Sequence, residues 1–222
     1  MIETLQEQLE VSSGQKLKIR INDNHSTMLS VRWEIDHTRL SLHRMFLGAP
    51  GNVMEDLACY LKRGKNETLP ATIKAFIEHQ MQQMDYSHKI KNHKLVTEGN
   101  HFRLCSIYKQ MNQEYFADEL DLQITWYGEA NRLFRSRINF GLFSDPLKLI
   151  KVHRSLDQPD IPDYFVEYVV YHEMLHNVCV PYVEKGGNTV IHTSEFKERE
   201  KQFKYFHEAC RWLKRHKSRF FE

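Results

Sequence analysis

Residues 169 to 178 read VVYHEMLHNV, with His172 and His176 four positions apart and Glu173 directly after the first. Around them Phe165, Val166, Val169, Val170, Met174, Leu175 and Val178 spread apolar side chains nearly all the way round a helical wheel. The pattern predicts a buried helix from about Asp163, after "DIP", to about Val178, and Pro181 forbids its continuation. On that helix the two imidazoles lie on one face, one turn apart, and can reach one cation. Glu173 projects roughly 100° around, close enough to touch a water that the cation holds. A carboxylate buried there without a basic neighbour is costly unless a positive charge offsets it, and a zinc ion supplies such a charge. The competing reading is a pair of core histidines satisfied by hydrogen bonds, and the strong apolar helix tells against it.

A catalytic zinc takes three protein ligands and keeps a position open for water. The stretch "VCVPYVEKGGNTVIHTSEFKERE" offers Glu184, His192, Glu195 and Glu198 as the third. Gly186 and Gly187 make the intervening loop pliable, and His192 stands just before a further helix, read as carrying Phe196, Phe203, Phe206, Cys210 and Leu213 on its packed side. That placement favours His192. The alternative is a capping or surface His192 with Glu195 as ligand. For an oxyanion donor besides the metal, Tyr182 in the loop beside the site is preferred to Tyr171, which lies on another helical face.

Upstream, Leu104, Ile107, Tyr108, Met111 and Tyr115 form one helical stripe. Three strand-like pieces follow, "LQITWY", "RINFGLF" and "LKLIKVH", with Ser144, Asp145 and Pro146 as turn residues. Helix, small antiparallel sheet, motif helix and C-terminal helix make an α+β layout. Before residue 85 the texture differs. "KLKIRIN" and "LSVRWEI" alternate with period two, and Asp36 and His37 form a tight hairpin into "TRLSLHRMF". In "GNVMEDLACYLKRG", Asn52 is read as a cap, Glu55 as returning its bond, Met54, Leu57, Ala58 and Leu61 as one face, and Gly64 as the stop. A short helix with Ile73, Phe76, Ile77 and Met84 follows, then the polar connector "DYSHKIKNHKLVTEGN". Its Lys89, Lys91 and Lys94 lack interleaved aromatics, and His88, His93 and His101 fit no ligand spacing, so they are read as solvated.

The 31 basic and 29 acidic side chains nearly cancel to +2, so no whole-molecule field marks a binder of nucleic acid or membrane. The start "MIETLQEQLE" lacks the layout of a signal peptide, and no apolar run approaches the roughly 20 residues that span a bilayer. The expectation is a cytoplasmic protein without membrane contact. Cys59, Cys105, Cys179 and Cys210 form no C-x-x-C pair and read as buried reduced thiols.

From about Thr97 to Phe206 the chain resembles the SprT-like, or Spartan-type, zinc metallopeptidases. The carrying residues, in order, are Asn112, Tyr115 and Phe116 of "IYKQMNQEYF", then Leu120, Trp126, Phe140 with Gly141, Leu156, "YHEMLH", and His192 followed by Phe196. A fainter likeness to the YgjP-like metal-dependent hydrolases extends to the strand-rich stretch before residue 65. The resemblance implies a zincin-like core over residues 97–222 behind a hairpin-and-helix region over 1–96. It also implies zinc held by His172, His176 and His192, with Glu173 as catalytic acid and base. The expected function is zinc-dependent hydrolysis of peptide bonds in a protein or peptide lying along an edge of the "LQITWY" to "LKLIKVH" sheet. The alternatives are a zinc hydrolase of small molecules such as nucleotides, or a non-catalytic zinc-stabilised module, which the intact Glu173 disfavours. Spartan-type DNA dependence does not transfer safely, since no C-x-x-C follows the last helix, and only the basic tail supports DNA as a partner. The basic tail "RWLKRHKSRF", with Arg211, Lys214, Arg215, Lys217 and Arg219, could grip phosphates but equally suits a helix C-terminus.

Overall fold

Alternating and helical patterns sort the chain into seven helices and eight short strands in a computed structural model that describes residues 2–24, 27–64, 67–90, 95–130, 138–184 and 188–220. Gly186, Gly187, Lys91, His93 and Lys94 lie outside those residues. Two compact units result, Met1–Met84 with Pro181–Val190, and Asp85–Val180 with Ile191–Glu222. The change of texture near residue 85 coincides with the first crossing between them. The class is α+β with small mixed sheets, and among the described residues no helix is long and apolar enough to cross a membrane.

In the first unit α1 (Ile2–Ser13) precedes β1 (Leu17–Asn22), β2 (Leu29–Trp33) and β3 (Thr38–His43). The strand order is β1-β3-β2, with β1 parallel and β2 antiparallel to β3. The hairpin around Asp36 and His37 is present, closed by the Glu34 amide donating to the His37 carbonyl at 3.0 Å. The strand stops at Trp33, and Ile35 turns fully into solvent. α2 (Gly51–Arg63) buries Val53, Leu57, Ala58 and Leu61 and stops at Gly64, whose φ of 92° suits a residue without Cβ. Asn52 does not cap it. Pro50 holds the cap position without a side-chain bond, because a proline just outside a helix fixes φ and lacks an N–H to satisfy. α3 (Ala71–Gln82) buries Ile73, with Phe76 and Ile77 partly covered, and Met84 packs from beyond its end.

The second unit starts from α4 (Leu104–Phe116), whose buried Leu104, Met111 and Asn112 face its core. Asn112 donates Nδ2 to the Leu120 carbonyl at 2.9 Å and accepts the Leu120 amide at 3.3 Å, while Tyr108 donates to the same carbonyl at 2.6 Å. This grip aims the chain into β4 (Gln123–Tyr127), followed by β5 (Gly141–Ser144) and β6 (Leu149–His153). The sheet is not antiparallel throughout: its order is β4-β6-β5, with β4 parallel and β5 antiparallel to β6. The Asp145–Leu147 turn folds β6 back along β5, so β6 meets β4 running the same way. β6 is therefore central and offers no edge. β4's outer side is partly covered, since Trp126 donates its amide to the Val96 carbonyl at 2.8 Å.

α5 (Asp163–Val178) has the bounds expected from its sequence and lies in the core with Phe165, Val166, Val169, Val170, Tyr171, Met174 and Leu175 buried. The expected single C-terminal helix is two, α6 (Ser194–Glu200) and α7 (Phe206–His216). Between them Phe203 is buried and stacks on Tyr171, with ring centres 5.5 Å apart. On α7 Ala209 and Trp212 turn inward and Cys210 outward. Of the four cysteines, all free, only Cys179 is buried, contrary to the reading of all as core thiols. The ten residues assigned to the first unit from this half of the chain hold the hairpin of β7 (Tyr182–Val183) and β8 (Thr189–Val190).

Candidate metal centre

α5 carries His172 and His176 on one face, and the chain returning through Ile191 brings His192 to them. The three offer one nitrogen each, all within 4.8 Å of one another. The ring centres of His172, His176 and His192 stand 5.0 to 5.1 Å apart. His192 lies just outside α6, where Thr193 is the N-cap, its hydroxyl accepting the Phe196 amide at 3.1 Å. Phe196, fully buried, sits 5.0, 4.7 and 4.6 Å from the centres of the three imidazoles and gives them a common apolar floor.

This environment favours neutral, ligand-ready rings. Burial pushes His176 down to about 3, with His172 and His192 adding to the effect. Burial and the neighbouring His172 also lower His192. Nitrogens around a tetrahedral zinc stand about 3.4 Å apart, so modest side-chain rotation would close the trio on one ion. The donor set of three imidazoles fits zinc.

Glu173 is 6% exposed, and burial raises its carboxyl to about 7, with His172 opposing the rise. Its carboxylate lies against β5. A Cβ built on Gly141 would come 2.4 Å from Glu173 Oε1, so this strand passes close only because Gly141 has no side chain.

The other candidates go elsewhere. Glu195 pairs with Arg199 at 2.9 Å, and Glu198 is exposed. Glu184 and the exposed Tyr182 belong to the hairpin of the first unit. Tyr171 is buried and donates its hydroxyl to the Arg199 carbonyl at 2.6 Å. His88 and His101 are exposed. In the basic tail Arg211 pairs with Glu208 at 3.0 Å, and Arg219 reaches Asp160 at 3.1 Å and holds that carboxyl below its usual range.

Sequence reasoning passed over Glu200 and Tyr168. His172 Nδ1 meets Glu200 Oε1 at 2.7 Å, and Tyr168 donates to the same oxygen at 2.7 Å. Tyr168, His172 and His176 recur every fourth residue, as do His192, Phe196 and Glu200, but the spacing does not say that the two rows meet. Comparison of the chain with protein-family models, curated proteins and solved structures finds no match.

Proposed function

We propose that the protein is a zinc-dependent metallopeptidase with a zincin-like core, in which His172, His176 and His192 hold the metal and Glu173 is the general base and acid. The observation that carries the reading is a buried glutamate, raised to about 7, adjoining a three-histidine cluster on one side and β5, an edge strand among the described residues, on the other. The order of motifs resembling the SprT-like family supports it.

Zinc, when bound, would acidify a coordinated water and polarise the carbonyl under attack. Glu173, buried beside the trio, would take the proton of the attacking water on its carboxylate and hand it to the leaving amine. β5 orients the substrate. The His153 amide donates to the Phe140 carbonyl at 2.8 Å, so in this antiparallel pair the backbones of Gly141 and Phe143 alternate to the side away from β6. An extended peptide pairing with those groups lies beside Glu173, and main-chain pairing makes little demand on its sequence. Phe196 beneath the imidazoles limits water at the back of the site. A cytoplasmic setting suits the four free thiols.

The test is incubation of the zinc-loaded chain with an unfolded protein, followed by mass spectrometry of the products. Fragments should appear with the wild type and fall by several orders of magnitude in Glu173→Gln, which keeps the shape and removes the base. Equal cleavage by both would end the proposal.

A further inference from the structure

Two side chains that the mechanism does not use meet the trio from behind. Glu200 closes α6, the helix that His192 precedes, and Tyr168 stands one turn before His172 on α5. Both donors, His172 Nδ1 and the Tyr168 hydroxyl, end on one oxygen, Oε1 of Glu200. The side chain of Glu200 is only 15% exposed.

An ionised carboxylate can only accept, so the proton of this bond belongs to His172 Nδ1. In the neutral ring the other nitrogen, Nε2, then carries the lone pair. We propose that Glu200 and Tyr168 are positioning residues of the metal centre: the carboxylate fixes His172 in the Nδ1–H tautomer with Nε2 turned to the ion, and the tyrosine fixes the carboxylate. This rests on the zinc reading above and deepens it. The carboxylate also makes the imidazole a stronger donor, as partners behind metal-bound histidines generally do.

The arrangement couples both ends of α6 to one object. His192 lies at its start, Glu200 at its end, and Phe196 between them touches all three imidazoles. The Tyr171 hydroxyl, bonded to the Arg199 carbonyl, ties the same end of α6 to α5. The ligands are therefore braced by α5 and α6, and they lose little side-chain freedom in closing on an ion.

Three measurements on the full chain test this. Long-range proton–nitrogen NMR of the metal-free wild type at alkaline pH should find His172 as the Nδ1–H tautomer; the Nε2–H tautomer overturns the proposal without any variant. Zinc affinity, measured by competition with a chromophoric chelator, should fall about 10- to 100-fold in Glu200→Ala and less in Tyr168→Phe. Glu200→Gln, which still offers an oxygen to Nδ1–H, should recover most of the affinity and the wild-type visible spectrum of the cobalt-substituted protein, which Glu200→Ala should alter. A folded Glu200→Ala variant with wild-type zinc affinity and an unaltered cobalt spectrum overturns the positioning role alone. A folded wild type that takes up no zinc overturns the metal reading and this proposal with it.

Discussion

Gly141 shows how much one missing methyl group decides. Alanine there drives Cβ into the Glu173 carboxylate at 2.4 Å, and the buried carboxylate has little room to retreat. We expect Gly141→Ala to destabilise the chain by about 1–3 kcal/mol, read from the urea midpoint, and to abolish cleavage of the unfolded substrate. Protons act at this scale too. Metal-free, the folded chain keeps His176 neutral down to about 3, whereas the unfolded chain protonates it near 6.5, so stability is lost as pH falls below that value. Glu173 has the opposite sign: its raised value contributes stability that is complete below 4.5 and lost as pH rises through about 7. Between about 4.5 and 6.5 the two roughly offset, and below that window His176 prevails. Metal-free His176→Gln should therefore lose less stability than the wild type between pH 4.5 and 3.5, measured by chemical denaturation. The residues legible in the sequence were those with a distinctive chemical spacing, His172, Glu173, His176 and His192. Glu200 was not, because a carboxylate in "EFKERE" looks like any solvated charge until its partner on another helix is known.

At the scale of elements, periodicity foretold which face is covered but not which neighbour covers it. α5 could be bounded to the residue because an apolar run, a preceding proline and a following proline all agree. The strands of the two three-stranded sheets were found, but their alternation is the same for parallel and antiparallel partners, so the mixed order was not, and the short β7–β8 hairpin was read as a loop. α1 was missed because only a thin stripe, Leu5 and Leu9, marks its buried side. The break after Glu200 coincides with Phe203 stacking on Tyr171, a contact between residues 32 positions apart that no local pattern reveals. A loop can likewise depend on a distant group. Buried Asp157 accepts the amides of Asn100 at 2.6 Å, His101 at 2.9 Å and Phe102 at 3.2 Å, holding the turn that leads into α4. Asp157→Ala leaves three donors without their acceptor. It should cost about 3 kcal/mol and release the amides of residues 100–102 to fast hydrogen exchange.

For the whole molecule, the two units repeat one plan although their sequences show no repeat. Each runs helix, three strands and helix, with the first strand parallel and the second antiparallel to a central third. Only the second carries the histidines, so metal should act on it alone. With free zinc at 100 times its dissociation constant, the second unit gains about 2.7 kcal/mol. Chelation should accordingly speed hydrogen exchange in α5 and α6 and leave β1 to β3 unchanged; equal changes in both units would contradict a site confined to one. The interleaved path of the chain also imposes an order in time. The buried apolar core of the first unit comes wholly from residues 9 to 73, so it can form while the rest is still being synthesised. Its hairpin emerges only after the motif helix, and the third histidine follows two residues behind Val190. At roughly 5–20 residues per second, His172 and His176 leave the ribosome about one to four seconds before His192. During that interval the nascent chain presents only two of the three clustered histidines, and the third can join them only once the ten residues belonging to the first unit have been made.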